Sequence, residues 1–564
     1  MKRLYFFHEI SGSKLRVIFY VMFSVCILTI GGAMLWQWHA LPIYPDEIAY
    51  RLIGARAWRD GPFQRSLFIL CNGDYQRISW LYRPAAWLFS QYDRFVAPHE
   101  VRNGVMLISG GVLPAALWLG WSRRHIVSAV AILGGFIGTT GAVLVMARPE
   151  ILLLLNVALV MVALAVPERG RKAYVLPLAL GVWGSFYLSS YVHLQGLILF
   201  PLTFYALLFL ASEWLSFPMA FLAASAVVAP LVPFGVMLHH GACTGYPGIS
   251  ALRDSLAFHF ADLQREGGGS FAVNKVRLLI ENISYMSGGV RRVPYVPNVN
   301  MKGADFFLRN SDNFILYSVF LIVVSSLLFS LYGVMRVLFS AARGGGRRSI
   351  ADTLLSNRLS ISAVLLTFPV YALWVYDAQN AFYRSAVFMA LLSCAMVMGL
   401  ADLKGHWRLL SWPVAALFLL TAGACYRANA SLFVPAIAEY EQGGSLSLFH
   451  DWQAVSGDIA ALSRETVPPL NAGGLVIDDL TYSALRNRPN LTPITYLGLQ
   501  ILLTHLSAWS IVDGQRLNGV IARCSLMETW HIPTPHRRGE ICAVSREEWR
   551  DTLSGLHKGG KDAP

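Results

Sequence analysis

The feature that most constrains this chain is the recurrence of apolar runs about as long as a bilayer is thick. A transmembrane helix needs roughly 20 predominantly apolar residues. Runs of that kind fall near Leu15–Trp38, Asn103–Trp121, His125–Met146, Pro149–Val166, Ala173–Ser190, Val192–Leu210, Trp214–Met237, Phe314–Met335, Leu359–Tyr376, Ala381–Leu400 and Leu409–Cys425. That pattern predicts an all-α polytopic membrane domain of about eleven helices. The spans either side of Ser189–Tyr191 abut with almost no loop. Composition agrees: 55% of the 564 residues are hydrophobic and 14% charged, against about 25% charged in soluble proteins.

Charge sets the expected orientation. Lys2, Arg3, Lys14 and Arg16 precede or open the first run. That run is longer than the core of a cleaved signal peptide, about 7–15 residues, so it reads as a retained first helix. With the N-terminus inside, the inside loops carry Arg123 and Arg124; Arg169, Arg171 and Lys172; Arg336, Arg343, Arg347, Arg348 and Arg358; and Lys404 and Arg408. The outside turns near Arg148, Ser190 and Asp377–Arg384 carry few cations, as the positive-inside rule requires. The net charge of +13 is thus spread over short loops, and no basic domain points to nucleic acid. Arg343–Arg348, with three glycines inside it, reads as a flexible basic loop near anionic lipid. The expected location is the bacterial inner membrane, with the C-terminus periplasmic.

Three large pieces are then external: His39–Arg102, His239–Asn313 and the tail from Arg427. The expected division is a membrane domain over 1–426, with external loops 39–102 and 239–313, and a small α/β extracytoplasmic domain over 427–564. Ile48–Trp58 and Ala85–Phe95 are amphipathic and suited to the interface plane. Strand-like runs Gly474–Ile477 and Gly519–Ala522 mark the tail as mixed. Of the seven cysteines, Cys26, Cys394 and Cys425 fall in apolar runs as packing residues. An external tail would permit a disulfide between Cys524 and Cys542, and the sequence leaves open whether it forms.

The most informative motif is Tyr44-Pro45-Asp46-Glu47-Ile48-Ala49-Tyr50, shortly after the first run. Pro45 can open a helix, and its positive end stabilises the ionised Asp46 and Glu47. By itself such a pair is a capping feature. The arrangement resembles the GT-C superfamily of membrane glycosyltransferases, the group of protein O-mannosyltransferases and lipid A aminoarabinose transferases. The resemblance rests on the acidic pair in a long first external loop, on the helix-like Ile48–Gly61 after it, and on the span count and external tail. It covers most of the chain as architecture, though the motif itself is short.

The resemblance implies sugar transfer from a polyprenyl-phosphate-linked donor, in the presence of membrane lipid, to an extracytoplasmic acceptor that is a lipid, a glycan or a protein. It gives Asp46 the role of general base and Glu47 that of positioning the acceptor or tuning Asp46. It makes no cofactor certain; the adjacent carboxylates could hold a divalent cation, and metal use stays open.

The leaving lipid phosphate needs cations at the outer boundary. Arg148, in Ala147-Arg148-Pro149-Glu150, and Arg384, which follows Tyr383 in Asp377–Arg384, stand at such boundaries and resemble external turns of that superfamily. Each could equally be an arginine reaching lipid headgroups, and Glu150 could neutralise Arg148. His193, at the outer end of a span, is a candidate for the donor phosphate or sugar, beside the plain reading of a structural histidine. Arg291, Arg292 and Tyr295 could meet an anionic acceptor or form a solvated loop, and Asp478 and Asp479 read as turn residues.

No Walker A loop, GxGxxG after a strand or HExxH occurs, which removes support for an ATPase, a dinucleotide enzyme or a zinc protease. Two other classes stay in view. A lipid-linked polysaccharide polymerase or ligase would not need the early acidic pair. A transporter or flippase would place polar or charged groups at mid-span and carry repeated halves.

Overall fold

The computed structural model describes residues 13–38, 70–71, 74–75, 98–137, 140–146, 149–166, 171–192, 194–232, 313–343, 350–376, 382–443, 452–466, 470, 474–485, 488, 491–493, 510–511, 515–529 and 532–549. Every apolar run of the sequence is helical there. Helix is the expected outcome, because an open chain in lipid satisfies its backbone N–H and C=O groups only within itself. Arg16–Trp36, Arg102–Ser122, Lys172–Ser190, Val319–Phe339 and Gly405–Arg427 are long and apolar enough to cross a membrane. Ile126–Phe136, Leu152–Ala165, Gln195–Ala211, Phe217–Val228, Arg358–Leu373 and Val387–Ala401 are shorter apolar helices. The protein is a mostly helical, multi-pass membrane protein with a small C-terminal sheet.

The helices are α1 (Ser13–Trp36), α2 (Pro98–Gly110), α3 (Val112–Ser122), α4 (Thr140–Val145), α5 (Leu152–Ala165), α6 (Arg171–Val192), α7 (Phe200–Ala211), α8 (Phe217–Val228), α9 (Asn313–Arg343), α10 (Ile350–Ser356), α11 (Arg358–Tyr376), α12 (Phe382–Ala401) and α13 (Ser411–Gly443). Two spans differ from the single helices expected. The run from Asn103 is broken between α2 and α3 at Gly111, whose N–H is shared between the Leu107 and Ile108 carbonyls. The run from His125 is a 3₁₀ segment, Ile126–Phe136, followed by α4. The last span, α13, continues past Arg427 to Gly443.

The centre of the bundle is α12 against the 3₁₀ segment, both buried along almost all their described length. Glycine allows this. A Cβ on Gly135 would lie 2.9 Å from the Ala390 Cα, and one on Gly134 would lie 2.7 Å from the Phe418 ring. Close backbone approach through small residues is how helices gain dispersion contacts where lipid offers no hydrophobic drive. Around this pair, α1 turns a largely apolar face outward through Val17, Ile18, Met22 and Val25.

Buried polar groups tie neighbouring spans together. Asn156 of α5 donates to the Val182 carbonyl (2.9 Å) and to Ser185 Oγ (3.0 Å) on α6, while its Oδ1 accepts from Thr203 of α7 (3.1 Å). Ser330 of α9 donates to Thr367 of α11 at 2.8 Å. Arg336 of α9 pairs with Asp402 at 2.6 Å, and Ser360 of α11 donates to the same carboxylate.

Two short strands, β1 (Leu70–Cys71) and β2 (Asp74–Tyr75), pair with each other, and the tail adds α14 (Trp452–Glu465), α15 (Asp479–Leu485) and a sheet in the order β4-β3-β6-β8-β7, built from β3 (Gly474–Ile477), β4 (Leu491–Pro493), β6 (Gln515–Arg523), β7 (His536–Arg538) and β8 (Ile541–Ser545), with β5 (Ser510–Ile511) paired to β6. β3 is parallel to both β4 and β6, and β8 is antiparallel to β6 and β7. Both strand-like runs of the sequence are strands. Cys524 and Cys542 are joined, closing a separation of 18 residues.

Asp478, at the end of β3, does more than turn the chain. Its Oδ2 accepts from the Arg523 backbone N–H and Nε, each at 2.9 Å, and its Oδ1 accepts from the Thr481 N–H and Oγ1, each at 2.9 Å. One buried carboxylate thus starts α15 and locks the ends of β3 and β6 together. Removing one partner of a buried pair strands the other, at about 3–5 kcal/mol. Asp478→Ala is therefore expected to make the tail markedly more protease-sensitive and to lower its unfolding midpoint, while Asp479→Ala has a small effect. Equal, small effects of the two in limited proteolysis would remove Asp478 as the keystone.

Candidate functional site

The six residues on which the sequence reading places chemistry are unequally described. Asp46, Glu47, Arg148 and His193 lie outside the described residues. Tyr383 and Arg384 stand in the first turn of α12, where the backbone alone is described. Arg291, Arg292 and Tyr295 lie outside the described residues as well. The helices that flank these positions are described, and they fix where the chain enters and leaves each turn.

Two antiparallel registers do this. In the first, the 3₁₀ segment and α12 run side by side, with Gly135 opposite Ala390 and His125 beside Leu400. Extending that register through α4 brings Met146, the last described residue before Arg148, toward the start of α12. In the second, Asn156 of α5 bonds Val182 and Ser185 of α6. Extending it backward brings the short 3₁₀ turn Pro149–Ile151 beside the end of α6. That turn packs against α2, α6 and α12.

The chain reverses sharply between α6 and the 3₁₀ segment Leu194–Leu199. A Cβ on Gly196 would lie 2.4 Å from the Ser190 N and 2.5 Å from the Ser189 carbonyl carbon. Glycine is therefore demanded by backbone–backbone contact, which explains how two spans abut with almost no loop. Ser189 and Ser190 are buried here and donate to the Phe186 carbonyl at 3.0 and 2.7 Å. The same end of the bundle receives α1. A Cβ on Gly141 of α4 would lie 2.7 Å from the Trp38 indole, so the chain leaves for Asp46 from a seat on α4. Ser109 of α2 donates to the Leu144 carbonyl at 2.5 Å and ties α2 into the same end.

Sequence reasoning passed over Arg102. It marked the end of a loop, yet it is fully buried in α2, and Glu150 is buried in the turn against which α2 packs. A charged residue opening an apolar run is the signal that could have found it, since ionisable groups within spans are costly and face the bundle interior. Asp478 and Asp479 stand apart from this end, in the sheet of the tail.

No family description and no curated protein matches the chain. Among solved structures it is similar to ArnT from Cupriavidus metallidurans bound to undecaprenyl phosphate, at 11% identity and a TM-score of 0.39, over 95% of this chain and 98% of that one. The apo state of the same ArnT gives 13% identity and a TM-score of 0.36 over the same shares. Neither likeness assigns a role to a residue of this chain.

The Gly196 contact is testable. Backbone overlap cannot be relieved by a rotamer change, so Gly196→Val is expected to cost at least the ~1–3 kcal/mol typical of overpacking. The readout is the thermal midpoint of the purified protein in detergent. A midpoint equal to that of the unaltered protein would show that the α6 reversal is looser than described.

Proposed function

We propose that this protein is a membrane glycosyltransferase that moves a sugar from a polyprenyl-phosphate donor to an extracytoplasmic acceptor, with Asp46 as general base. The observation that supports this most is the common destination of the flanking elements. The exit of α1 at Trp38, the turn at Pro149–Ile151, the end of α6 and the start of α12 belong to one end of the bundle. In the sequence, Asp46 and Glu47 come shortly after Trp38, Arg148 immediately before Pro149, His193 immediately after α6, and Tyr383 and Arg384 in the first turn of α12.

The chemistry is a displacement at the anomeric carbon. An acceptor hydroxyl or amine attacks that carbon, the bond from carbon to the phosphate oxygen breaks, and the acceptor proton passes to Asp46. Polyprenyl phosphate leaves with the bonding pair. Arg148 and Arg384 would hold the phosphate as its charge grows. His193 and Tyr383 would contact the phosphate or sugar, and Glu47 would orient the acceptor. A divalent cation, if used, would sit on Asp46 and Glu47. Asn156 with Thr203 and Ser330 with Thr367 bond between helices inside the bundle, and this favours a static scaffold over a transport path.

The proposed orientation has the N-terminus cytoplasmic and the boundary between membrane domain and tail near 426–427, with the tail periplasmic. The Cys524–Cys542 bond fits an oxidising compartment. Alkaline phosphatase fused after Pro564 is expected to be active and the same fusion at Gly345 inactive; the reverse result would invert the topology.

The mechanism is tested by transfer of radiolabelled sugar from polyprenyl-phosphate sugars to total envelope acceptors. Asp46→Asn at equal expression is expected to lower the rate by about 10²–10⁴-fold, the range for a lost general base. Undiminished transfer by the variant would sink Asp46 as the base.

A further inference from the structure

The opposite end of the bundle, where α1 begins, holds a cluster of cations that the proposed chemistry does not use. Three elements come together there: the start of α1 packs on α3, and His125, just after the α3 turn, is in hydrogen-bonding reach of the Arg408 backbone in the 3₁₀ segment Gly405–Leu410 that leads into α13. The Tyr20 ring of α1 lies 5.7 Å from the Trp121 ring of α3, and Trp121 Nε1 donates to Ser24 Oγ at 3.3 Å. Arg16 stands one turn before Tyr20 on α1, Arg124 is bonded back to Trp121 in the turn, and Arg408 belongs to the third element, so the three cations surround the Tyr20–Trp121 pair.

Among the described residues, neither Arg16, Arg124, Lys404 nor Arg408 pairs with a carboxylate. Asp402 is close in sequence, but Arg336 and Ser360 already hold it. Arg408 uses its Nε on the Leu403 carbonyl at 3.0 Å. Arg16, Arg124 and Lys404 are exposed. Cations gathered from three elements repel one another unless an anion joins them.

A second observation concerns the backbone of Arg124. Its φ is +53°, and it is the only residue other than glycine with positive φ among the described residues. The Arg124 N–H bonds the Trp121 carbonyl at 2.9 Å and the His125 N–H bonds the Gly120 carbonyl at 2.7 Å. This is a Schellman helix end, in which the left-handed position belongs to glycine. A β-carbon is strained there, and strain of that kind points to a use for the side chain.

We infer that this corner binds the headgroup of an anionic phospholipid from the adjoining leaflet, with its phosphate held by Arg16, Arg124 and Arg408. Guanidinium groups match phosphate oxygens in geometry and charge, and basic pockets between helix ends are suited to such lipids. The Trp121–Tyr20 pair beside these cations is of the aromatic type that favours the membrane interface. The exposed Phe19 and Met22 of α1 offer the acyl chains an apolar wall. The inference needs only that the protein spans a membrane, and it is independent of the transferase reading.

The test uses the full chain in a neutral detergent. Thermal unfolding and native mass spectrometry are followed with phosphatidylglycerol, phosphatidylcholine or inorganic phosphate added. Phosphatidylglycerol is expected to raise the midpoint and remain as an adduct, and the other two are not. Arg124→Gly relieves the backbone, so without lipid its midpoint should equal or exceed that of the unaltered protein, while phosphatidylglycerol retention falls about tenfold, as for loss of a charged hydrogen-bonding partner. Arg16→Gln should lower retention in the same direction. Equal retention by both variants and the unaltered protein, or equal protection by phosphatidylcholine, would overturn the site. Equal protection by inorganic phosphate would overturn its assignment to a lipid.

Discussion

Gly134 and Gly135 meet Ala390 and Ser393 so closely that a single added methyl would collide with backbone or ring atoms. Between lipid-dissolved helices, such a contact takes the place of the hydrophobic effect. Tails of lipid are as apolar as leucine, so association depends on how closely backbones approach and how many dispersion contacts follow. Because the approach is tight, its register cannot slide. The antiparallel alignment of the 3₁₀ segment with α12 then decides which loop ends come together at each face of the bundle. The end with Trp38, Pro149 and Phe382 and the end with Arg124, Leu400 and Arg408 are both consequences of this one seam.

Polar groups are distributed by what each depth tolerates. Several within the spans are neutral and satisfy one another: Asn156 with Ser185 and Thr203, Ser330 with Thr367. Interhelical hydrogen bonds of this type contribute about 0.6–2 kcal/mol each; their larger role is to fix rotation of one helix about its neighbour. Charge gathers toward the ends of the spans, where Arg102 opens the span Arg102–Ser122. Arg336 and Asp402 close one end of α9, α11 and α12, and Arg358 donates to the Leu164 carbonyl while lying over the Phe209 ring at 4.7 Å. Cations that sequence reading counted for orientation thus also join helices.

The spans were legible because their cause is a length set by the bilayer, and length survives without any knowledge of packing. What hydropathy could not register was the internal form of a span. Gly111 and the Gly134–Gly135 pair leave a run apolar while changing its helical geometry, since glycine is neutral to a hydropathy sum but decisive for backbone approach. The strands at Gly474–Ile477 and Gly519–Ala522 were legible as apolar runs too short to be spans. Asp478 read as a turn because its partner, Arg523, is remote in sequence and is brought to it by β6 pairing with β3. Arg102 was missed for the opposite reason: it begins a span, so its charge was assigned to the preceding loop. The acidic pair Asp46–Glu47 was found by pattern alone, and it lies outside the described residues.

The strained Arg124 illustrates how such a fold can hold a side chain where its own preference would not. A non-glycine residue in the left-handed region costs roughly 1–2 kcal/mol. Here the reversal is imposed from both sides. Gly120 packs so near Ile126 that a Cβ would lie 3.0 Å from its Cα, and the Schellman bonds close the end of α3 onto the start of the 3₁₀ segment. The conformation of Arg124 is therefore decided by the packing of Gly120 and Ile126, which the central seam in turn requires. An arginine at that position follows the backbone rather than setting it, and the turn holds it at the corner of the proposed lipid site whether or not an anion is bound. A site arranged in this way needs no movement to receive its ligand, and preorganisation of that kind is where binding avoids its entropic cost.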